Sequence, residues 1–140
     1  MFTPSREEAR RFFIDTWSKY RAGAPLSQLE ALTAEVLQKH PEYHAQLQDP
    51  ERFIDRDYPP EAGETNPFLH LSLHIAVAEQ LAIDQPPGLR GHYERLVAKY
   101  GDEHEALHAI IDCLAEVVWQ AQRQRAPFDG ALYLECLARK

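Results

Sequence analysis

The sequence predicts an all-α fold, a single-domain helical bundle of about five to six helices that occupies residues 1–140. Two observations favour this class. Apolar residues recur at three- and four-residue intervals along most of the chain, and no run alternates in the way that a half-buried strand requires. Residues that begin or end helices also recur between these segments. A length of 140 residues suits one domain.

Helix-capping residues define the first two predicted helices. Ser5 followed by Glu8 is a capping box, and the helix that it opens runs to about Ala22. Ser27 and Glu30 form a second box, which opens the next helix. That helix reaches the run "HPEYH", residues 40–44, where the proline disfavours helical geometry in the residue before it. The chain is therefore expected to kink or restart there.

The rest of the chain contains a long connection and four further helices. Residues 49–67 are rich in proline and charged residues, with one helical turn expected after Pro50. Thr65 or Asn66 is expected to cap the helix that follows, and Asp102 and Asp129 are expected to cap two later ones. The predicted helices span about residues 66–84, 89–99, 103–125 and 130–137.

Composition excludes several classes of protein. A formal charge of −7 is unsuited to a nucleic-acid binder, which needs a basic surface for phosphates. The apolar run 68–83 is too short to cross a membrane and contains charged and polar residues, so no membrane partner is expected. The N-terminal residues lack the apolar segment of an export signal. Cys113 and Cys136 are too far apart in sequence for a CxxC motif, and unbonded cysteines in a reducing cytoplasm are expected.

Six of the seven histidines fall into pairs separated by four residues. Chance placement would give roughly 0.3 such pairs, and this spacing puts both side chains on one face of a helix. Two imidazoles arranged in this way can bind one metal ion. The three pairs are His40/His44, His70/His74 and His104/His108.

A metal site follows if the two longest helices pack with their histidine faces together. The predicted ligands are His70, His74, His104, His108 and Asp112. His44, His40 and Glu105 are possible additional ligands. Imidazoles with a carboxylate suit a divalent transition metal such as zinc, iron or manganese, and no cysteine pair is present for a thiolate site. An open coordination position would permit metal-dependent chemistry on an unidentified small molecule.

Two alternatives remain open. The histidines could be hydrogen-bonded core residues of a non-catalytic interaction or adaptor domain, whose partner would be another protein. The run "HEALH", residues 104–108, also matches the H-E-x-x-H motif of zinc metalloproteases, in which Glu105 would activate a water molecule. A third ligand would then be needed, and Glu135 is the late candidate. The sequence fixes neither a substrate nor an oligomeric state.

Several segments together resemble a family of uncharacterised small bacterial proteins that share a domain of unknown function. The resemblance covers essentially the whole chain and includes all three histidine pairs. It implies a small cytoplasmic protein of one domain and supplies no activity and no catalytic residue. The segments that carry it are "HPEYH", "DRDYPPE", "TNPFLHLSLH", "IDQPPG", "GDEHEALH" and "YLECL".

Overall fold

A computed structural model describes residues 6–53, 56, 58 and 66–140, and the described part is helical without strands. The predicted all-α class is therefore confirmed. The predicted number of helices is too low, because the described residues contain two helices of four residues in addition to six longer ones. The helices are α1 (Arg6–Ala22), α2 (Gln28–Gln38), α3 (His44–Leu47), α4 (Pro50–Phe53), α5 (Pro67–Ile83), α6 (Leu89–Tyr100), α7 (Glu103–Gln124) and α8 (Gly130–Ala138), with a 3-10 turn at Pro41–Tyr43.

Most predicted helix starts are confirmed by hydrogen bonds to backbone amides. Asn66 Oδ1 accepts from the amides of Phe68 and Leu69 at the start of α5. Asp102 caps α7 and Asp129 caps α8 in the same way. These side chains satisfy amides that have no partner inside the helix. Ser5, and with it the first predicted capping box, lies outside the described residues.

The capping box of α2 also connects this helix to α1. Ser27 Oγ accepts from the amide of Glu30, whose carboxylate accepts from the amide of Ser27 in return. The same carboxylate accepts a hydrogen bond from Lys19 of α1 at 2.8 Å. The Lys19 ammonium and the Ser27 amide lower the pKa of Glu30 to about 2. This carboxylate therefore remains ionised well into the acid range.

The chain divides into two compact units inside helix α5, between Ser72 and Leu73. In the first unit, α1 packs against α2 and α3, and the 3-10 turn packs against α2. Its interior is mainly aromatic and aliphatic. The buried apolar residues of this unit include Phe13, Ile14, Trp17, Leu37, Leu47, Phe53, Phe68 and Leu71. The prediction of a single domain stays a prediction.

The second unit contains α6, α7 and α8, which pack against one another, and the C-terminal part of α5. Helix α7 supplies the largest share of the buried residues, with a stripe that includes Ile110, Leu114 and Val117. Gly101 ends α6 with a positive φ of 69°, a conformation that glycine adopts without strain. Val77 of α5 is fully buried in the same apolar cluster. Burial of this cluster is the main stabilising contribution to the unit.

Cys113 of α7 and Cys136 of α8 form a disulfide bond, with Cα atoms 5.8 Å apart. The expectation of unbonded cysteines is therefore wrong. Their sequence separation of 23 residues excludes a CxxC motif but does not prevent contact once α8 folds back on α7. The inference of a reducing cytoplasm from unbonded cysteines loses its basis. Among the described residues, no helix is long and apolar enough to cross a membrane.

Candidate metal centre

Helix α5 places His70 and His74 one turn apart on the same face. The helix is apolar on several sides because it contributes to the interior of both units. Leu71 and Val77, on different faces, are each fully buried. His70 and His74 are polar side chains in these apolar surroundings, so each ring needs a hydrogen-bond partner or a metal.

His70 contacts His40 within the first unit. The two Nε2 atoms are 3.2 Å apart, and His40 is only 1% exposed. Nδ1 of His40 lies 2.8 Å from the carbonyl oxygen of Val36. A carbonyl only accepts hydrogen bonds, so the proton of the neutral His40 ring is on Nδ1. Its Nε2 atom then directs a lone pair towards His70, as a metal ligand requires.

His74 contacts His108 of α7 within the second unit. Their Nε2 atoms are 3.1 Å apart, and His74 is 5% exposed. His108 is half-buried. The pair resembles that of His40 and His70, since one ring comes from α5 in each. The other ring comes from α7 here, whereas His40 lies between α2 and the 3-10 turn.

Both Nε2–Nε2 distances agree with two kinds of chemistry. Ligand nitrogens at a tetrahedral metal, each about 2.0–2.1 Å from the ion, are about 3.3–3.4 Å from one another. A hydrogen bond between a protonated and an unprotonated ring nitrogen has nearly the same length. Since one turn of α5 connects the two pairs, the four histidines are close together and could hold one metal ion.

His104 lies beside this group without belonging to it. The centroid of its ring is 4.1 Å from that of His108 and 5.8 Å from that of His74, and it lies nearly parallel to the His74 ring, at 12°. Asp112 and Glu105, the predicted carboxylate ligands, have exposed side chains on α7. The structure therefore brings His70, His74 and His108 together with His40, and leaves the two carboxylates at the surface.

His44 has a different environment from His40, although the two are four residues apart. Its Nε2–H donates to the carbonyl oxygen of Leu37 at 2.8 Å, and its ring stacks on Trp17 with centroids 4.2 Å apart. Pro41 starts a 3-10 turn between the two histidines, so they do not share a helical face. Sequence reasoning gave His40 a secondary place for this reason. Its burial depends on how α2 ends and packs, which the spacing of histidines does not encode.

The family model described as a domain of unknown function, DUF1841, matches residues 5–139. The chain belongs to this family. The match includes all four clustered histidines and confirms the resemblance noted in the sequence. No curated protein and no solved structure matches the chain. The DUF1841 description assigns no activity, so inference about function depends on the histidines themselves.

Proposed function

We propose that this DUF1841 protein binds one divalent transition metal ion through His40, His70, His74 and His108. The observation that carries the proposal is the pair of Nε2–Nε2 contacts at 3.2 and 3.1 Å. Each contact includes one histidine of α5, and these two histidines are one helical turn apart. A metal coordinated by all four rings would replace two hydrogen bonds with four coordination bonds. Burial of His40 and His74 would shield the ion from water.

Zinc is the metal that these four ligands suit best. Imidazole nitrogen binds borderline metals such as Zn²⁺ well, whereas Mn²⁺ prefers sites rich in carboxylate oxygen. The four proposed ligands include neither a carboxylate nor a thiolate. Zn²⁺ also accepts tetrahedral coordination readily, because its filled d shell imposes no other geometry.

A shell of four protein ligands is typical of a structural metal site and not of a catalytic one. Catalytic zinc sites usually keep one coordination position for water or substrate, whereas structural sites are closed. We therefore propose a closed site whose ion stabilises the fold. Chemistry on a small molecule would require one histidine to leave the metal or the shell to expand.

The second candidate is a non-catalytic interaction domain whose histidines are hydrogen-bonded to one another. It is favoured by the fact that an Nε2–H···Nε2 hydrogen bond explains the same distances. The two candidates differ in one measurable property. Only the first predicts stoichiometric metal in the purified protein.

Elemental analysis of untagged protein, purified without chelators and then offered ZnCl₂, tests the proposal. We expect about one zinc per chain in the wild type. Competition with a chromophoric chelator should show an affinity at least tenfold lower in His74→Ala and in His40→Ala, because each removes one of four ligands. His92→Ala is the matched control, since Nδ1 of His92 is 3.1 Å from Nη2 of Arg95, away from the cluster. Unchanged zinc affinity in both ligand variants, or no zinc in the wild type, would contradict metal binding by these residues.

Folding of the variants needs a separate control. His74→Gln keeps a polar side chain of similar reach and serves where His74→Ala unfolds. Circular dichroism should show the same helical content in every variant whose zinc content is compared.

The zinc-protease alternative has its own test. Glu105 is exposed on α7, while Nε2 of His108 faces His74. We therefore expect Glu105→Gln to bind as much zinc as the wild type. A peptidase activity that the wild type possesses and Glu105→Gln lacks would support the protease instead.

A further inference from the structure

We infer that His104 is an exchange ligand, through which the metal reaches and leaves the four-histidine site. This inference rests on the proposed metal binding and concerns the rate of exchange. His104 is one helical turn before His108 on α7, so both rings project from the same face.

The position of His104 suits transient coordination. Its ring is in van der Waals range of His108, with centroids 4.1 Å apart, and lies parallel to His74 at 5.8 Å. A small rotation of such a ring moves a nitrogen by an ångström or more. His104 can therefore approach an ion held by His74 and His108 without any movement of helix α7.

The residues around His104 change from exposed carboxylates at the surface to a buried imidazole inside. Asp102, Glu103 and Glu105 are exposed at the beginning of α7, His104 is half-buried, and His74 is buried. Exposed carboxylates raise the local concentration of cations and bind them weakly. His104 lies among these carboxylates and one turn before His108, so its imidazole is the first nitrogen ligand that an incoming ion meets.

The chemistry of exchange requires an incoming donor. A closed tetrahedral shell has no open position, but Zn²⁺ can expand to five ligands. In the proposed step, a bond forms between the metal and a nitrogen of His104 as the bond to Nε2 of His108 breaks. Both ligands are neutral imidazoles, so the charge of the complex is unchanged and no electron or proton is transferred.

Stopped-flow transfer of zinc from the loaded protein to a chromophoric chelator tests this role. We expect His104→Ala to bind one zinc per chain and to release it at least tenfold more slowly than the wild type, because the incoming ligand is missing. Loading from ZnCl₂ should slow by a similar factor. His92→Ala, with a histidine outside the cluster, should exchange at the wild-type rate, and His104→Gln provides a second variant if alanine disturbs the start of α7.

The outcomes separate this inference from the proposed function. Wild-type exchange rates in both His104 variants would overturn the inference and leave metal binding intact. Loss of stoichiometric zinc in the His104 variants would also overturn it, because His104 would then be a permanent ligand. A wild-type protein that binds no zinc would overturn both.

Discussion

The hydrogen bond from Nδ1 of His40 to the carbonyl of Val36 determines what the rest of this ring can do. It holds the plane of the ring and leaves Nε2 as the acceptor or ligand atom. Metal-binding histidines in proteins commonly have such a second hydrogen bond, which fixes the tautomer. The same bond stabilises the folded protein without a metal as well, because a buried imidazole nitrogen that lacks a hydrogen-bond partner is unfavourable.

Among the described residues, Tyr133 has the largest fully buried side chain. Its hydroxyl donates to Oε1 of Gln80 at 2.9 Å. Burial raises the pKa of the Tyr133 phenol well above its ordinary value. We expect Tyr133→Phe to lower the free energy of unfolding by about 1–2 kcal/mol at pH 7, because Gln80 loses its donor. Urea denaturation measures this change.

The pH dependence provides the control for this prediction. The unfolded phenol ionises above about pH 10, whereas the folded one stays neutral. Its contribution to stability is therefore fully present below pH 10 and is lost as the pH rises further. Tyr133→Phe should show a shallower decline above pH 10 than the wild type. An identical decline in both proteins would contradict the assigned burial effect.

At the scale of helices, the sequence predicts what is local and misses what depends on packing. The cap residues Asn66, Asp102 and Asp129 place three helix starts correctly, because a cap and its amide partners lie within a few residues. The contact of His40 with His70 joins residues 30 positions apart, and no local rule encodes it. The spacing of His70 and His74 predicted that both rings lie on one face of a helix. The histidines that contact these rings, His40 and His108, follow only from the fold.

The disulfide between α7 and α8 shows the same limit and leads to a testable prediction. A bond that closes a loop of 23 residues stabilises the folded state by about 3 kcal/mol, chiefly because it restricts the unfolded chain. We expect reduction to lower the free energy of unfolding by about this amount. Guanidinium denaturation with and without a phosphine reductant measures it.

The double variant Cys113→Ala/Cys136→Ala is the control, since its stability should not respond to the reductant. Alkylation followed by intact mass measurement should find no free thiol in the unreduced wild type. Two alkylated cysteines in the unreduced protein would show that the bond is absent in solution, and the predicted destabilisation would then disappear.

At the scale of the whole molecule, the four proposed ligands come from three parts of the chain. His40 follows α2, His70 and His74 lie on α5, and His108 lies on α7. The protein is acidic, with a formal charge of −7, so its long-range field attracts rather than repels a divalent cation.

A metal that binds only the folded protein must stabilise it by mass action. At a free zinc concentration one hundred times the dissociation constant, the free energy of unfolding should rise by about 2.7 kcal/mol. Because the His40 ring is bonded to the Val36 carbonyl of α2 and His108 lies on α7, amide hydrogen exchange should slow in both helices. Magnesium, which prefers oxygen ligands, should have no such effect. His74→Ala, which binds zinc at least tenfold more weakly, should gain at least about 1.3 kcal/mol less than the wild type at the same zinc concentration. Protection confined to α7 would show that His74 and His108 bind zinc without His40 and His70.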